Sequence, residues 1–486
     1  MSQHPPRTVI VLAAGAGKRM RSARPKVLHP LLGRSLLGHV LAAAEPLAAD
    51  RTLVVVGAGA DQVTAHLAEI APKAVPVVQA EQLGTGHAVR VALAAVPEPE
   101  RVAGTVVVLN GDLPLLRPET IRELVEAHEA AGAAATLLSV EPADPTGLGR
   151  IRRDPAGRLA GVVEERDATD PQRAIREVNA GSYAFDAARL PAALERIGRD
   201  NAQREEYLTD VPGLLAADGQ PVLVHRAADP TDALGCNDRA ELAVARARLR
   251  DRINLAWMRA GVTIVDPAST WIDVTVTLGR DVLLEPNTML RGATVVGERA
   301  TVGPDVSLID SSVGEAASVV RAHVVQSQIG PGAQVGPYAS LRPASRLAAG
   351  AKVGTFVETK NAEIGEGAKV PHQAYVGDAA IGPGANLGAG TIIVNYDGIA
   401  KHHTEVGEAA FVGSNSNLVA PVTVGDGAYV AAGSTVTSAV PPGALGVARG
   451  RQRNLPGWVR RRRAGTKSAE AAARAAPEPD TEPGQP

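Results

Sequence analysis

The sequence predicts an α/β protein in two parts, a doubly wound α/β domain followed by a parallel β-helix. Three observations carry that prediction. From Thr8 to about residue 135, short apolar runs alternate with helix-like segments. From Val295 to Val436, short aliphatic residues return every six positions. A charged helix-like stretch, 238–260, lies between the two patterns.

The N-terminal elements follow in order. Thr8-Val-Ile-Val-Leu12 reads as a strand and runs into AAGAGKRM. Residues 34–45 read as a helix, Leu53–Val56 as a strand, 61–70 as a helix, Val75–Val78 as a strand and 86–95 as a helix. Thr105–Leu109 is a continuous apolar strand ending in Asn110-Gly111-Asp112. Unbroken apolar runs suit strands covered on both faces of a parallel sheet, and their alternation with helices points to a doubly wound domain. Further strands are expected near 135–141, 159–164, 180–185 and 221–225.

The second part is read from its period. Val406, Val412, Leu418, Val424, Val430 and Val436 keep a step of six, as do Ile329, Val335, Leu341, Leu347 and Val353. Six matches neither the 3.6 of a helix nor the 2 of a strand. It suits a chain that turns a corner after each short strand, three strands to a coil, with stacked coils sharing one core. Gly and Pro between the aliphatics supply tight corners. The division expected is 1–232, a connector at 233–261, a coil domain at 262–458 and a disordered tail at 459–486, because the Pro/Glu-rich end carries few aliphatics.

Composition narrows the function classes. The chain has 486 residues, and 50 Lys+Arg against 52 Asp+Glu gives no charge bias toward nucleic acid. A single cysteine, Cys236, excludes an internal disulfide and a cysteine-based metal cluster. The start, MSQHPPR, is polar and unlike a secretory leader, and no apolar run reaches membrane-spanning length. A cytoplasmic protein without membrane or nucleic-acid partners is expected.

LAAGAGKRM, at the carboxyl end of the first strand, can present backbone N–H groups to phosphate. Alone it is weak, since it lacks P-loop spacing. The set Leu12-Ala-Ala-Gly-x-Gly-x-Arg-Met20, Pro25-Lys26, QAEQLGTGHA (79–88) and NGDLPLL (110–116) is far more specific. With TGLGRI, VVEERDATD, EVNAG and the C-terminal hexads, residues 7–458 closely resemble the bifunctional bacterial N-acetylglucosamine-1-phosphate uridyltransferase/glucosamine-1-phosphate N-acetyltransferase family. The resemblance implies a Rossmann-like nucleotidyltransferase domain and a left-handed β-helix.

It also implies residue roles. Leu12, Ala14 and Gly15 would meet the nucleoside, Arg19 and Lys26 the phosphates, and Gln79, Gly84 and Thr85 the uracil of UTP. Asp112 and Asn237 would hold Mg²⁺, and Gly149, Glu164 and Asn179 would contact the amino-sugar. Bland alternatives stand beside these: a turn cap for Asp112, backbone satisfaction for Gln79 and Asn179, an acidic turn for the Glu164-Glu165 pair, and a helix cap for Asn237. Lys18 stands where many relatives have Thr, and Asn110 where some have Tyr.

In the coil region the step of six breaks at 394–405, VNYDGIAKHHTE, and loops on a rigid solenoid are where binding tends to sit. The resemblance implies that His372 is the general base for the amine of glucosamine-1-phosphate, which suits a near-neutral pKa. Arg342, Lys360 and Lys401 would hold the sugar phosphate, and Tyr375, Asn386 and Asn395 the sugar. Ala389, Asn395, Tyr396, Ser414, Ala432 and Arg449 would line acetyl-CoA. His402 and His403 are rival bases, read as a surface pair without a special neighbour. KVPHQAYVGD departs from relatives reading AGHLTYLGD but keeps His-x-x-Tyr. A homotrimer acting on small molecules is implied. Two other readings stay open: a nucleotidyltransferase for a different sugar with a structural coil, and a non-enzymatic trimeric scaffold.

Overall fold

The computed structural model describes residues 5–97 and 102–475. The chain forms two compact units, 1–350 and 351–486.

The first unit opens on a nine-stranded sheet. Its strands are β1 (Arg7–Ala13), β2 (Arg51–Val56), β3 (Val75–Val78), β4 (Thr105–Asn110), β5 (Ala135–Val140), β6 (Arg150–Arg153), β7 (Leu159–Val163), β8 (Val178–Asp186) and β9 (Val222–Arg226). The order is β9-β5-β8-β4-β1-β2-β3, with β6 pairing to β8 and β7. β1 runs parallel to β2 and β4, so the chain returns through helices that cover the sheet. The sheet is mixed rather than wholly parallel, because β8 runs antiparallel to both β4 and β5. Val9, Ile10, Val11 and Val106 to Leu109 are at most 1% exposed, as expected for strands sandwiched on both faces. One core lies on either side: Val9, Val11, Val54 and Val107 face Leu37, Val40 and Leu124, while Ile10, Val55, Val106 and Val108 face Val89, Leu190 and Val211.

Helix Arg239–Arg259 follows, capped by Asp238, whose side chain accepts from the N–H groups of Ala240 and Glu241. Its Leu242, Ala245 and Leu249 pack with Leu31, Leu36 and Leu115. Coils begin at once, with strand Thr263–Ile264. Thr277 pairs with Val295 and Trp271 with Met289, which is three hexads per turn. Some coils are a residue or two shorter, as in Val302 with Val319 and Ser318 with Gln334.

The second unit continues in the same manner by itself. Phe411 pairs with Tyr429 and Thr404 with Val422, again three hexads apart. The hexad residues Val406, Val412, Leu418, Val424, Val430 and Val436 are 0–4% exposed, each buried aliphatic contributing about 1.5–3 kcal/mol. One coil is longer: Asn386 pairs with Phe411 and Ile392 with Asn417, because the 394–405 segment is inserted there. A row of buried hydroxyls, Thr391, Ser416 and Ser434, also recurs at coil spacing, and the Thr391 and Ser416 hydroxyls donate to the carbonyls of Gly388 and Gly413.

The expected disordered tail is helical as far as it is described, at Trp458–Arg462 and Lys467–Ala475. The alanines of KSAEAAARA are strong helix formers, and Thr466 Oγ1 accepts from the Ala469 N–H at the second helix's start. Residues 476–486 of that expected tail lie outside the described residues.

Candidate active site

The glycine-rich loop leaves the carboxyl end of β1, where open α/β sheets place ligands. Gly17 is left-handed, with φ +56°, and a Cβ there would sit 2.6 Å from the Lys26 Cβ, so the loop lies directly on Lys26. The Ala14 carbonyl is held from two sides, by the Ala58 N–H at 3.2 Å and by Gln82 Nε2 at 2.9 Å. Gln82 thereby ties the 79–88 loop to the glycine loop, a role the sequence reading missed although the residue lay inside a quoted motif. Gly15, Arg19 and Thr85 are exposed, Leu12 and Gly84 half-buried, and Gln79 buried. Gln79 Nε2 donates to the Gly84 carbonyl at 3.1 Å, so its amide sets the loop's shape. Thr85 Oγ1 accepts from the Leu208 N–H at 3.0 Å.

Asp112 and Asn237 converge. Lys26 Nζ donates to Asp112 Oδ2 and, at 3.2 Å, to Asn237 Oδ1. The helix-cap alternative for Asn237 fails, because Asp238 does the capping and the Asn237 side-chain oxygen accepts from Lys26 instead. Two side-chain oxygens from separate segments therefore face one cation, here an ammonium. That donor set fits Mg²⁺, which takes one or two protein oxygens and completes its shell with water and phosphate.

The Gly149, Glu164 and Asn179 group also comes together. The Asn179 N–H donates to the Gly149 carbonyl at 2.8 Å, and a Cβ on Gly149 would lie 3.4 Å from Glu164 Oε1. Asn179 Oδ1 accepts from the Gly181 N–H at 3.2 Å, and its amide donates to the Tyr183 hydroxyl at 2.7 Å. Glu164 and its twin have different environments. Glu165 is engaged by Arg150 at 2.7 Å. Among the described residues, Glu164 receives only a neutral side-chain donor, Thr209 Oγ1, at 2.9 Å. Burial, reinforced by the nearby Asp210 and Asp167 charges, pushes its carboxyl above the usual range, against the Thr209 hydrogen bond. Asn110 packs against Gly181, where any Cβ would meet its side-chain nitrogen at 2.3 Å, so this departure from Tyr fits closely.

In the second unit, polar side chains gather on one coil surface. Asp378, absent from the sequence reading, is their centre. It accepts from Asn361 Nδ2 at 2.7 Å and Asn395 Nδ2 at 2.5 Å. Burial would raise its pKa, but those two hydrogen bonds and the charges of Lys401 and Lys360 outweigh it and hold the carboxylate ionised. Asn395 Nδ2 also lies 3.5 Å from the Tyr375 hydroxyl. Asn386 is half-buried on the next rung, and His372 ends strand Lys369–His372 with an exposed side chain.

The inserted segment is a small closed hairpin. Tyr396 bridges Lys401, Asp397 Oδ1 accepts from the N–H groups of Ile399 and Ala400, and the His402 N–H donates to the Asn395 carbonyl at 2.8 Å. His402 does have a special neighbour, contrary to expectation, for its Nε2 lies 2.7 Å from Asp397 Oδ2. That pair closes the hairpin.

The remaining candidates climb one corner. The His372 carbonyl accepts from Gly390 beside Ala389, the Ala389 carbonyl from Asn415 beside Ser414, and the Ser414 carbonyl from Gly433 beside Ala432. Arg449 Nη1 then donates to the Ala432 carbonyl at 2.9 Å. Arg342, exposed, belongs to the first unit, where its carbonyl accepts from Ser327 and Ser345.

Similarity to other proteins agrees with this division of labour. Residues 9–252 match the MobA-like NTP transferase domain, and 403–438 match the bacterial transferase hexapeptide repeats. The "Bifunctional protein GlmU" of Streptomyces avermitilis is 54% identical over 483 residues, 99% of this chain and 100% of the relative. That of Thermobifida fusca is 56% identical over 476 residues, 98% of each chain. That of Mycolicibacterium gilvum is 52% identical over 468 residues, 96% of this chain and 94% of the relative. With both family signatures present, and identity of this order running through both halves, the chain belongs to the family of bifunctional GlmU proteins.

Proposed function

We propose that the chain makes UDP-N-acetylglucosamine in two steps. In the first, the amine of glucosamine-1-phosphate attacks the thioester of acetyl-CoA. A C–N bond forms, the C–S bond breaks, CoA leaves, and the amine proton passes to His372. Lys360 and Lys401 supply positive charge for the sugar phosphate, the role also proposed for Arg342. Tyr375 and Asn386 orient the sugar, and Asn395 and Tyr396 stand beside the corner of Ala389, Ser414, Ala432 and Arg449 along which acetyl-CoA lies.

In the second step a phosphate oxygen of N-acetylglucosamine-1-phosphate attacks the α-phosphorus of UTP and pyrophosphate leaves. Leu12, Ala14, Gly15, Gln79, Gly84 and Thr85 hold the nucleoside. Arg19 and Lys26 face the phosphates. Gly149, Glu164 and Asn179 receive the acetylated sugar. Asp112 and Asn237 would hold Mg²⁺, which would supply positive charge to the nucleotide and the leaving pyrophosphate. The single observation carrying this step is the convergence of Asp112 and Asn237 on the Lys26 ammonium beside the glycine loop.

The domain limits proposed are 1–232 for uridylyl transfer, 233–261 for the connector and 262–458 for acetyl transfer. The NTP transferase match over 9–252 spans the first and runs on into the connector. The protein assembles as a homotrimer on its coil region, as its hexapeptide repeats favour. A cytoplasmic location is part of the same proposal, since UTP and acetyl-CoA are metabolites of that compartment. No described helix is long and apolar enough to cross a membrane.

Steady-state rates of both half-reactions test the proposal. Asp112→Ala abolishes uridylyl transfer and spares acetyl transfer. His372→Ala cuts acetyl transfer about 10²–10⁴-fold and spares the other reaction. His402→Ala, which only opens a hairpin, does less. Uridylyl transfer by Asp112→Ala within tenfold of wild type, or acetyl transfer by His372→Ala within threefold, overturns the assignment.

A further inference from the structure

We propose that Arg252, on the helix Arg239–Arg259, is a positioning residue for the Mg²⁺ ligands: it clamps the two chain segments that carry Asp112 and Asn237 into one register. The inference rests on the metal-site reading above and goes beyond it.

The two ligands come from segments far apart in sequence. Asp112 sits in the turn after β4, and Asn237 follows the short helical turn Pro230–Ala233. A two-ligand site is only as good as the spacing of its two oxygens, and each segment is a loop that could drift. Arg252 contacts both. Its Nη1 donates to the carbonyl of Leu115, three residues past Asp112, at 2.6 Å. Its Nη2 donates to Asp229 Oδ2 at 2.9 Å and Asp232 Oδ1 at 3.3 Å, and also reaches Thr231 Oγ1.

Asp232 completes the clamp. It is fully buried, and it also accepts from Arg117 Nε at 2.9 Å, Arg117 Nη2 at 2.9 Å and Thr120 Oγ1 at 2.6 Å. Arg117 and Thr120 belong to the stretch that continues from the Asp112 turn. Thus one guanidinium and one buried carboxylate each bridge the same two segments. A direct backbone bond, Cys236 N–H to the Asp112 carbonyl at 3.1 Å, lies between them. A planar guanidinium with five fixed donors suits this task, and an ammonium cannot make all these contacts at once. Residues that orient metal ligands from behind change metal affinity by about 10- to 100-fold when lost.

The test uses the full chain. Mn²⁺ binding without nucleotide is followed by electron paramagnetic resonance, and Mg²⁺ activation of uridylyl transfer is measured in parallel. Arg252→Met is expected to weaken Mn²⁺ binding about 10- to 100-fold. It should raise the half-saturating Mg²⁺ concentration in step, with kcat recovering to within threefold at saturating metal. Arg252→Lys should fall between Met and wild type, and it serves as the readout if Arg252→Met does not fold. Arg250→Met is the control on the same helix, because Arg250 bonds Asp251 and the Ala268 carbonyl and lies over the Trp271 ring, none of them in the two clamped segments; it should leave Mn²⁺ binding unchanged. Unchanged Mn²⁺ affinity in Arg252→Lys and Arg252→Met, with only a lower melting temperature or a kcat loss at every metal concentration, overturns the clamp. Asp112→Asn separates the two ideas. If it binds Mn²⁺ like wild type, the metal site itself is misassigned. If it loses Mn²⁺ while the Arg252 variants keep it, only the clamp fails.

Discussion

Gly84→Ala offers a test of the nucleotide loop with a magnitude set by the structure. Gly84 has φ +115° and ψ 176°, a backbone region open essentially to glycine alone. A Cβ there would stand 2.5 Å from the Glu206 carbonyl oxygen and 2.6 Å from its nitrogen. That backbone cannot easily withdraw. Its N–H donates to the Leu83 carbonyl at 2.7 Å, its carbonyl accepts from the Gly86 N–H at 2.8 Å, and its side chain is paired with Arg90 and Arg199. The loop must move instead, and it takes with it the Gly84 carbonyl that orients Gln79. Forcing a side chain into such a conformation costs about 1–3 kcal/mol. If that cost appears as lost nucleotide binding, KM for UTP rises about 5- to 150-fold at 1.4 kcal/mol per decade. Acetyl transfer is unaffected. Steady-state kinetics of both reactions, with far-UV circular dichroism as a folding check, decide it. A KM for UTP within twofold of wild type would show that the loop tolerates a Cβ and that the close approach to Glu206 does not shape the site.

Two further expectations follow from the electrostatics. Glu164 is held above the usual carboxylate range by burial, so it gains its proton at a higher pH than an exposed glutamate and loses its negative charge as pH falls through that raised value. KM for N-acetylglucosamine-1-phosphate in uridylyl transfer should therefore climb on acidification, beginning above the ordinary midpoint near about 4.3, and Glu164→Gln should flatten that limb; an unchanged limb in Glu164→Gln assigns the titration elsewhere. Asp378→Ala removes the acceptor of two amide hydrogen bonds, each worth about 1.5–3 kcal/mol when made to a charged group. It should raise KM for glucosamine-1-phosphate at least about tenfold in acetyl transfer, whereas a lower KM would mean that Asp378 merely repels the phosphate.

What the sequence disclosed follows from how local each signal was. The strands of the first unit and the hexads of the second were legible because burial on both faces, or once on each short coil strand, leaves an unbroken or periodic aliphatic trace. The antiparallel direction of β8 was not, since 178–186 is as buried as the parallel strands of the sheet and a strand's composition does not encode its direction. Helix Pro118–Ala131 went unassigned although Ile121, Leu124, Val125 and His128 hold its buried face at helical spacing. The tail differs from expectation because few aliphatics were taken for no structure, whereas an alanine-rich segment behind a threonine cap has high helix propensity, and Arg460 of the preceding helix bonds its Ala472 carbonyl. Asn237 was weighed as a helix cap, and only the geometry could say that its neighbour Asp238 does the capping.

The cluster around Asp378 shows the other side of the same rule. Asp378 carries no motif, and its neighbours in sequence give no hint of its partners. Yet Asn361, Asp378 and Asn395 stand at equal intervals of seventeen, and the pairing of Glu358 with Tyr375 sets one coil in this region at that same length. In a coil, positions one turn apart are stacked, so an amide, a carboxylate and an amide at coil spacing must meet on one surface. The information was present, but only in the period of the fold and not in the period of the hydrophobic residues. Asn361 and Asp378 both adopt left-handed backbone, at φ +44° and +50°, where Asn and Asp are the non-glycine residues best tolerated. A corner residue and a site residue therefore look alike in the sequence. What separates them is whether the polar group repeats with the coil, as these three do.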